Sequence, residues 1–356
     1  MIVYLPRTFR RCARTAIPVA VWCGVLLLIA SACSKPPQPE ATAPTPPPAS
    51  DIVRVDAALD ELIPAGAKLE KLATGFKFVE GPLWFSSGHL WFSDVVGNVV
   101  RQWSPDGKVI EILQQGGSME GNGASGPLVG PNGMTHDKNG AVLLCQHGNR
   151  RIVRISPDQH VSVAVDRFQG KRFNSPNDLV FRSDGSLYFT DPPYGLDKQD
   201  EDPKKELKFN GVFRLSGGKL AVVLKDLSRP NGIAFSPDQK TLYVSNSEEK
   251  HKVWMAYDVS ADGAATNGRV FFDVTGESAP GLPDGMKVDS RGNLYCSGPG
   301  GIWIFSASGK HLGTIKTPEI AANCNWGDDG KSLYITASTS LYRLKLAVEG
   351  EQALYN

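Results

Sequence analysis

Six side chains that carry oxygen recur at one position of a repeated pattern in this sequence. They are Glu80, Asn132, Asn177, Asn231, Asp284 and Asn323. Two carboxylates and four amides form an all-oxygen donor set, which suits Ca²⁺ best among the common divalent cations. The set contains no thiolate and no imidazole, which argues against a soft-ligand zinc site. We therefore expect a divalent cation, with Ca²⁺ favoured and Mg²⁺, Mn²⁺ or Zn²⁺ as the alternatives.

Any one of these residues alone has a simpler interpretation. Asn and Asp beside Gly or Pro are ordinary turn residues. Glu80 is the exception, because Glu is a poor turn residue and its charge beside an apolar stretch requires some other partner. Polar residues at all six equivalent positions favour one shared site.

The pattern around these residues occurs six times, at intervals of about 40 to 55 residues, which is the range of propeller blades. The copies span 79–94, 130–146, 175–191, 229–246, 282–298 and 321–337. Each copy has the form of a β-hairpin, with a short apolar stretch, a turn containing Gly, Asp or Asn, and a second stretch of alternating small and aromatic residues. A third stretch follows every copy and a fourth follows most. The sequence therefore predicts an all-β fold, a six-bladed β-propeller of four-stranded antiparallel blades. A β-sandwich with chance repeats is the alternative.

The repeat also predicts how the ring closes and where the site lies. No good fourth strand follows Leu346 in the last copy, so we expect residues 67–76 to supply it. In a propeller, the first strand of each blade lines the central channel. The six oxygen-bearing side chains stand at the starts of these strands, so we expect them to converge on one mouth of the channel.

The loops that follow each second strand are predicted to lie at the same mouth. They include His147, and the long segment 192–210, which could act as a lid. The pKa of a histidine suits acid/base chemistry at neutral pH, so His147 is a second catalytic candidate, although a hydrogen-bonded loop residue is the alternative. The candidates for substrate binding are Asn132, Asn177, Asp191, Tyr194, Asn246 and Asn323.

The first 50 residues are predicted to be an export signal and a tether. Four arginines precede an apolar stretch over 16–30, and Ser-Ala-Cys follows at 31–33. Residues 1–32 therefore resemble a bacterial lipoprotein signal peptide, with lipidation at Cys33; an uncleaved membrane anchor is the alternative. Residues 33–50 are rich in proline and form the tether, and 51–356 form the propeller domain. We expect a lipoprotein of the bacterial cell envelope that faces the periplasm, and Ser34 favours the outer membrane.

The net charge limits the kinds of binding partner that are expected. The formal net charge of +1 argues against nucleic acid or an acidic membrane as the main partner. Membrane contact is therefore expected only through a lipid on Cys33.

Cys145, Cys296 and Cys324 lie in apolar strands and are expected to be buried free thiols, with a Cys296–Cys324 disulfide as the alternative.

With these residues identified, the chain resembles the gluconolactonase/senescence-marker-protein (regucalcin) family of six-bladed propeller lactonases. The resemblance covers about residues 75–350 and rests on VEGPLW, NSPNDLVF, RPNGIAFSPD and LPDGMKVD, while CQHGNRRIVR is similar to the bacterial branch. It implies a divalent metal, usually Ca²⁺, at the channel mouth. The implied ligands are Glu80, Asn231 and Asp284, with Asn177 at the metal or the substrate. Ser175 departs from the animal branch, which has Arg there, so that branch's substrate contacts are not transferred.

Two classes of function follow. The resemblance implies an enzyme that hydrolyses sugar lactones and related esters. In that reading the cation polarises the lactone carbonyl, water attacks, and Asp284 takes the proton. The second class is a non-catalytic, metal-containing propeller that binds a ligand or a protein, because a propeller fold alone decides no function. Hydrolysis of another ester is a further alternative. No Gly-x-Ser-x-Gly, Walker or Rossmann motif is present.

Overall fold

The computed structural model describes residues 51–118 and 126–351. The predicted signal peptide (1–32), the tether (33–50) and Cys33 lie outside these residues, so their roles stay predictions. Within the two described ranges, no helix is both long and apolar enough to cross a lipid bilayer.

The described residues form six antiparallel sheets whose innermost strands contact one another in a closed ring, which confirms the predicted propeller. Blades 1 to 4 and blade 6 have four strands each, and blade 5 has a fifth strand at its outer edge. A two-stranded ribbon, Arg167–Phe168 with Lys171–Arg172, connects blades 2 and 3.

The strands are given from the channel outwards. Blade 1 comprises Val79–Phe85, His89–Asp94, Val99–Trp103 and Val109–Gln114, and blade 2 comprises Pro131–His136, Val142–Gln146, Arg151–Ile155 and Val161–Val165. Blade 3 comprises Leu179–Phe181, Leu187–Asp191, Gly211–Ser216 and Lys219–Leu224, and blade 4 comprises Pro230–Phe235, Thr241–Glu248, His251–Val259 and Ala265–Asp273. Blade 5 comprises Met286–Val288, Leu294–Gly298, Gly301–Phe305, His311–Lys316 and Ile52–Arg54, and blade 6 comprises Ala321–Gly327, Ser332–Ala337, Ser340–Lys345 and Glu70–Thr74. Two short 3₁₀ helices span Ala57–Glu61 and Gln199–Glu201.

The ring closes as predicted, because Glu70–Thr74 pairs with Ser340–Lys345 as the outermost strand of blade 6. Glu319 stabilises this closure. Its carboxylate accepts hydrogen bonds from Thr339 N at 2.8 Å and from Tyr342 Oη at 2.7 Å, and it forms an ion pair with Lys71 at 3.4 Å. Burial raises the pKa of Glu319, but hydrogen bonds from Ser340, Tyr342 and Thr339 outweigh burial and lower it to about 2.

The segment before the closing strand extends blade 5, which the repeat did not indicate because the segment precedes the first copy. Ile52–Arg54 pairs with His311–Lys316. The 3₁₀ helix Ala57–Glu61 begins at Asp56, whose side chain accepts a hydrogen bond from Ala58 N at 2.9 Å. Leu59 and neighbouring apolar side chains then fill the space between blades 5 and 6.

A hydrophobic layer separates each pair of neighbouring blades. Between blades 6 and 1, for example, Phe92 and Trp103 pack with Tyr334. The cysteines of the described chain lie in these layers. Cys145, Cys296 and Cys324 are buried free thiols, as expected, and the alternative disulfide is not formed.

The innermost strands approach one another so closely that a glycine is required after the site residue in most blades. A Cβ on Gly81 would lie 2.3 Å from Asn132 O in the next blade. A Cβ on Gly232 would likewise lie 2.2 Å from Asp284 O. Real Cβ atoms do not come this close to backbone atoms, so packing of neighbouring blades explains these glycines.

We expect Glu319→Gln to weaken the ring closure by roughly 2 kcal/mol, because the neutral amide cannot replace a carboxylate that accepts several hydrogen bonds. The control is Glu70→Gln, which removes an exposed ion pair with Arg343 and should cost below about 1 kcal/mol. Because the folded pKa of Glu319 is lowered, its stabilisation is present above the unfolded pKa and is lost as pH falls from there towards about 2. Chemical denaturation from pH 2 to 7 should therefore show a weaker acid dependence in Glu319→Gln than in the wild type. Equal acid dependence in the two proteins would contradict this role.

We expect Gly232→Ala to destabilise the fold by about 1–3 kcal/mol, because the new methyl group meets the backbone of the next blade. Gly276→Ala is the matched control, since a Cβ there meets no atom within 4 Å. Thermal unfolding of both variants measures the difference. A Gly232→Ala protein as stable as the control would show that the blades can separate at no cost.

Candidate active site

The six predicted oxygen-bearing residues lie at one mouth of the channel, at or just before the starts of the innermost strands. Five of them are buried, namely Glu80, Asn132, Asn177, Asn231 and Asn323. Asp284 keeps part of its surface exposed at the mouth. The predicted convergence is therefore confirmed for the six positions, whose individual roles stay predictions.

Hydrogen bonds between side-chain amides connect neighbouring blades around this mouth. Asn132 Nδ2 donates to Asn177 Oδ1 at 2.9 Å, and Asn177 Nδ2 donates to Asn231 Oδ1 at 2.6 Å. Across the ring closure, Asn323 Nδ2 donates to Glu80 Oε2 at 2.9 Å. Each amide oxygen has two lone pairs, so one remains for a cation or a substrate hydroxyl.

Glu80 and Asp284 carry the negative charge of this ring. Burial raises the pKa of Glu80 to about 7, and the charge of Asp178 adds to the effect. Burial, followed by the charges of Glu80 and Asp178, raises the pKa of Asp284 well above its usual range. Oδ1 of Asp284 is buried and has no hydrogen-bond partner among the described residues. Burial and neighbouring like charge thus disfavour the ionised forms of both carboxyl groups unless a positive charge is bound beside them.

Asp178 and Lys287 belong to the same electrostatic system but were not predicted. Asp178 is 3% exposed and its Oδ1 accepts a hydrogen bond from Leu179 N at 2.9 Å. Burial raises its pKa, and the positive charge of Lys287 opposes the rise. The sequence signal for Asp178 was its position directly after Asn177, but no other copy of the repeat has a carboxylate there.

This donor set fits a divalent cation. Asp284 Oδ1 and Asn132 Oδ1 are both buried without a hydrogen-bond partner in the described ranges, and an unsatisfied buried acceptor costs about 1–3 kcal/mol. In the same part of the chain, no three His, Cys, Asp or Glu side chains converge on one point. The candidate centre therefore depends on two carboxylates together with amide oxygens, which are ligands of a hard cation.

His147 is buried beside Asn132 and Asn177, which places it at the site as predicted. Its Nδ1 donates to Leu128 O at 3.1 Å, because a carbonyl can only accept. Nε2 is therefore an acceptor, and it lies 3.3 Å from Asn132 Nδ2. Burial lowers the pKa of His147 to about 4. Such a pKa lies below the neutral range expected of an acid/base group and favours the neutral imidazole, and the catalytic role of His147 stays a prediction.

Tyr194 lies at the start of the segment 192–210, next to Ser175. Ser175 Oγ donates to Pro192 O at 2.6 Å and accepts from Gly195 N at 2.8 Å, which fixes the backbone on both sides of Tyr194. Burial raises the pKa of Tyr194, and the charge of Asp284 adds to the rise. Its hydroxyl is buried and has no partner in the described part of the chain. Tyr194 therefore brings a free donor to the side of the ring that holds Asp284.

Asp191 and Asn246 do not face the ring, in contrast to their predicted role in substrate binding. The two carboxylate oxygens of Asp191 accept hydrogen bonds from Asn174 N and Ser175 N, each at 2.8 Å. Oδ1 of Asn246 accepts from Arg229 N at 2.8 Å. Both residues lie at or near the end of a second strand, where they satisfy backbone donors of the segment that leads into the innermost strand.

A further set of residues stabilises the backbone at the starts of the innermost strands. These residues are hydroxyl-bearing, precede the end of the second strand, and donate to a main-chain carbonyl at the start of the next blade's innermost strand. Their bonds are Ser93 to Asn132 O at 2.7 Å, Thr190 to Asn231 O at 2.7 Å, Ser245 to Asp284 O at 2.9 Å and Ser297 to Ala322 O at 2.7 Å. In the sequence, these copies of the repeat share a Ser or Thr at the same position of the second strand, which is the pattern that could have identified this set.

The chain was compared with known proteins. Residues 78–339 match the family described as "SMP-30/Gluconolactonase/LRE-like region". A gluconolactonase from Zymomonas mobilis is 39% identical over 312 residues, covering 84% of this chain and 87% of that protein. Regucalcin from Xenopus laevis is 27% identical, covering 74% of this chain and 84% of that protein. A solved gluconolactonase structure from Xanthomonas campestris superposes with a TM-score of 0.72 at 35% identity, covering 83% of this chain and 94% of that one. This chain belongs to the SMP-30/gluconolactonase/LRE-like family.

Proposed function

We propose that this protein is a lactone hydrolase of the gluconolactonase type, which acts on a sugar lactone at the channel mouth defined by Glu80, Asn231 and Asp284. The observation that carries the proposal is the ring itself, in which the buried carboxylate of Glu80, the partly exposed carboxylate of Asp284 and several buried amides surround one mouth. Relatives of similar length that are named gluconolactonase support the substrate class.

The ring residues Glu80, Asn177, Asn231 and Asp284 would hold a divalent cation, for which Ca²⁺ is our proposal. When bound, such a cation polarises the lactone carbonyl and stabilises negative charge that develops on its oxygen. Positive charge near a carboxylate favours the ionised form. The raised pKa values of Glu80 and Asp284 are therefore a property of the ring without that charge.

Asp284 is the best-placed general base. It is the one carboxylate of the ring that is partly exposed at the mouth, so a water molecule and a substrate can reach it. In its ionised form it takes a proton from the water that attacks the lactone carbonyl. Opening of the ring ester then needs a proton on the leaving oxygen, which the same carboxyl group can return.

The neighbouring side chains bind and orient the substrate. The Tyr194 hydroxyl is protonated at neutral pH, as in any tyrosine, and burial raises its pKa further, so it can donate to a substrate oxygen. Asn132 offers a buried carbonyl oxygen without a partner, which can accept from a sugar hydroxyl. His147 acts through Asn132, because the neutral imidazole accepts from Asn132 Nδ2 and thereby orients that amide.

The first experiment measures hydrolysis of a panel of aldonolactones by the purified protein, with EDTA and after addition of Ca²⁺, Mg²⁺, Mn²⁺ or Zn²⁺. We expect turnover that EDTA abolishes and one cation restores. Asp284→Asn should lower kcat by about 10²- to 10⁴-fold, which is the usual contribution of a general base. Asp106→Asn is the control, because Asp106 lies in an exposed turn. Tight cation binding without turnover of any lactone or other ester would favour the non-catalytic propeller.

Tyr194→Phe tests the orienting hydroxyl. We expect kcat/KM to fall by about 3- to 10-fold, the value of one neutral hydrogen bond. Folding stability should not decrease, because the hydroxyl has no partner in the described residues. Tyr257→Phe removes a hydroxyl that donates to Asp226 at 3.3 Å far from the site, and should change stability without changing kcat/KM. An unchanged kcat/KM in Tyr194→Phe would remove Tyr194 from the site.

A further inference from the structure

A cavity of about 400 Å³ lies at the channel mouth opposite to the candidate active site. The active-site residues stand at the starts of the innermost strands, whereas the cavity is lined by residues at the ends of the same strands. The four residue steps from Asn231 to Phe235 separate the two mouths by on the order of 13 Å. The volume is within the range of sites for small organic ligands.

Aromatic side chains from several blades line part of the cavity wall. Trp84, Phe181, Phe235 and Trp326 come from four different blades, and aliphatic residues such as Val180 fill the space between them. The aromatic part of the wall favours a flat ring that stacks against it or meets its edges, and the polar residues of the lining can accommodate a polar substituent.

His136 lines this cavity, and one of its ring nitrogens has no hydrogen-bond partner among the described residues. It is 3% exposed, and its Nε2 donates to Trp84 O at 3.0 Å, since that carbonyl can only accept. Nδ1 is therefore an acceptor, and it is buried with no hydrogen-bond partner in the described part of the chain. The ring is held edge-on against Phe85, with ring centres 4.6 Å apart. A buried acceptor of this kind is satisfied by a ligand that carries an O–H or N–H donor.

The charges around the cavity favour a neutral ligand. Lys287 is the cation of the inner wall, but its charge already acts on Asp178 and Glu80 in the channel above. The outer rim carries Asp329 and Glu351, which would repel an anion. The rim carboxylates are exposed to solvent, so the charge that faces the interior of the cavity is that of Lys287, which already acts on the channel carboxylates.

We propose that this cavity is a second binding site, for a small neutral aromatic molecule with a hydroxyl group, such as a phenol or an aryl alcohol, whose O–H donates to Nδ1 of His136. The flat ring lies among the aromatic side chains and the hydroxyl satisfies the buried acceptor. This site is separate from the proposed lactonase site and does not depend on that function.

The test compares 2-naphthol with 2-methylnaphthalene, which has the same rings and a group of similar size without a donor. Binding to the purified protein is followed by fluorescence titration. His136→Phe keeps a flat ring beside Phe85 but removes the acceptor. We expect it to weaken binding of 2-naphthol by about fivefold and to leave 2-methylnaphthalene unaffected. Lactone hydrolysis should stay unchanged in this variant, because His136 lies at the other mouth.

Val180→Phe is a second variant, which fills the cavity and should weaken binding of both compounds. Thermal unfolding checks that both variants are folded. In the wild type, the ¹⁵N shift of His136 Nδ1 should move when 2-naphthol is added and not when 2-methylnaphthalene is added, a readout that needs no variant. The same ratio of the two affinities in wild type and His136→Phe, or binding that Val180→Phe does not weaken, would overturn the proposal.

Discussion

The close approach of the innermost strands is the constraint on which the rest of this structure depends. Gly81 and Gly232 have no room for a Cβ because the carbonyl of the next blade's site residue occupies that space. The short distance lets hydroxyl groups of the second strands donate to the same carbonyls, as Ser245 does to Asp284 O. Backbone packing thus sets the positions of the site residues independently of the contacts between their side chains. The side chains only add the amide hydrogen bonds that connect neighbouring blades.

The same packing concentrates charge in the channel. Burial raises the pKa values of Glu80, Asp178 and Asp284; the charge of Asp178 adds to the rise for Glu80 and Asp284, and Lys287 is the cation whose charge lowers the pKa values of Glu80 and Asp178. Burial of like charges costs free energy unless a counter-charge is bound. A site of this kind therefore favours binding of a cation, which is the property that our proposed chemistry uses.

The direction of the innermost strands explains why the two mouths differ. An oxygen-bearing residue lies at or just before the start of each innermost strand, and apolar or aromatic residues lie towards its end, as Asn231 and Phe235 do in blade 4. Because every blade runs in the same direction, these differences add up around the ring. One mouth becomes polar and acidic, and the other becomes an aromatic cavity that contains a buried histidine. Two chemically different sites therefore arise from one repeated strand.

The sequence by itself determined the propeller, the closing strand at 67–76 and the six positions at the mouth, because each follows from a repeat and from the alternation of local hydrophobicity. It did not determine which polar residues face the ring. Asp191 and Asn246 have the right residue type, but their oxygens are used by backbone donors of the next loop. The pKa of His147, the contribution of Asp178 and the cavity beside His136 were decided by the tertiary structure alone. The physical reason is that burial and partner choice depend on neighbouring blades, which no single copy of the repeat contains.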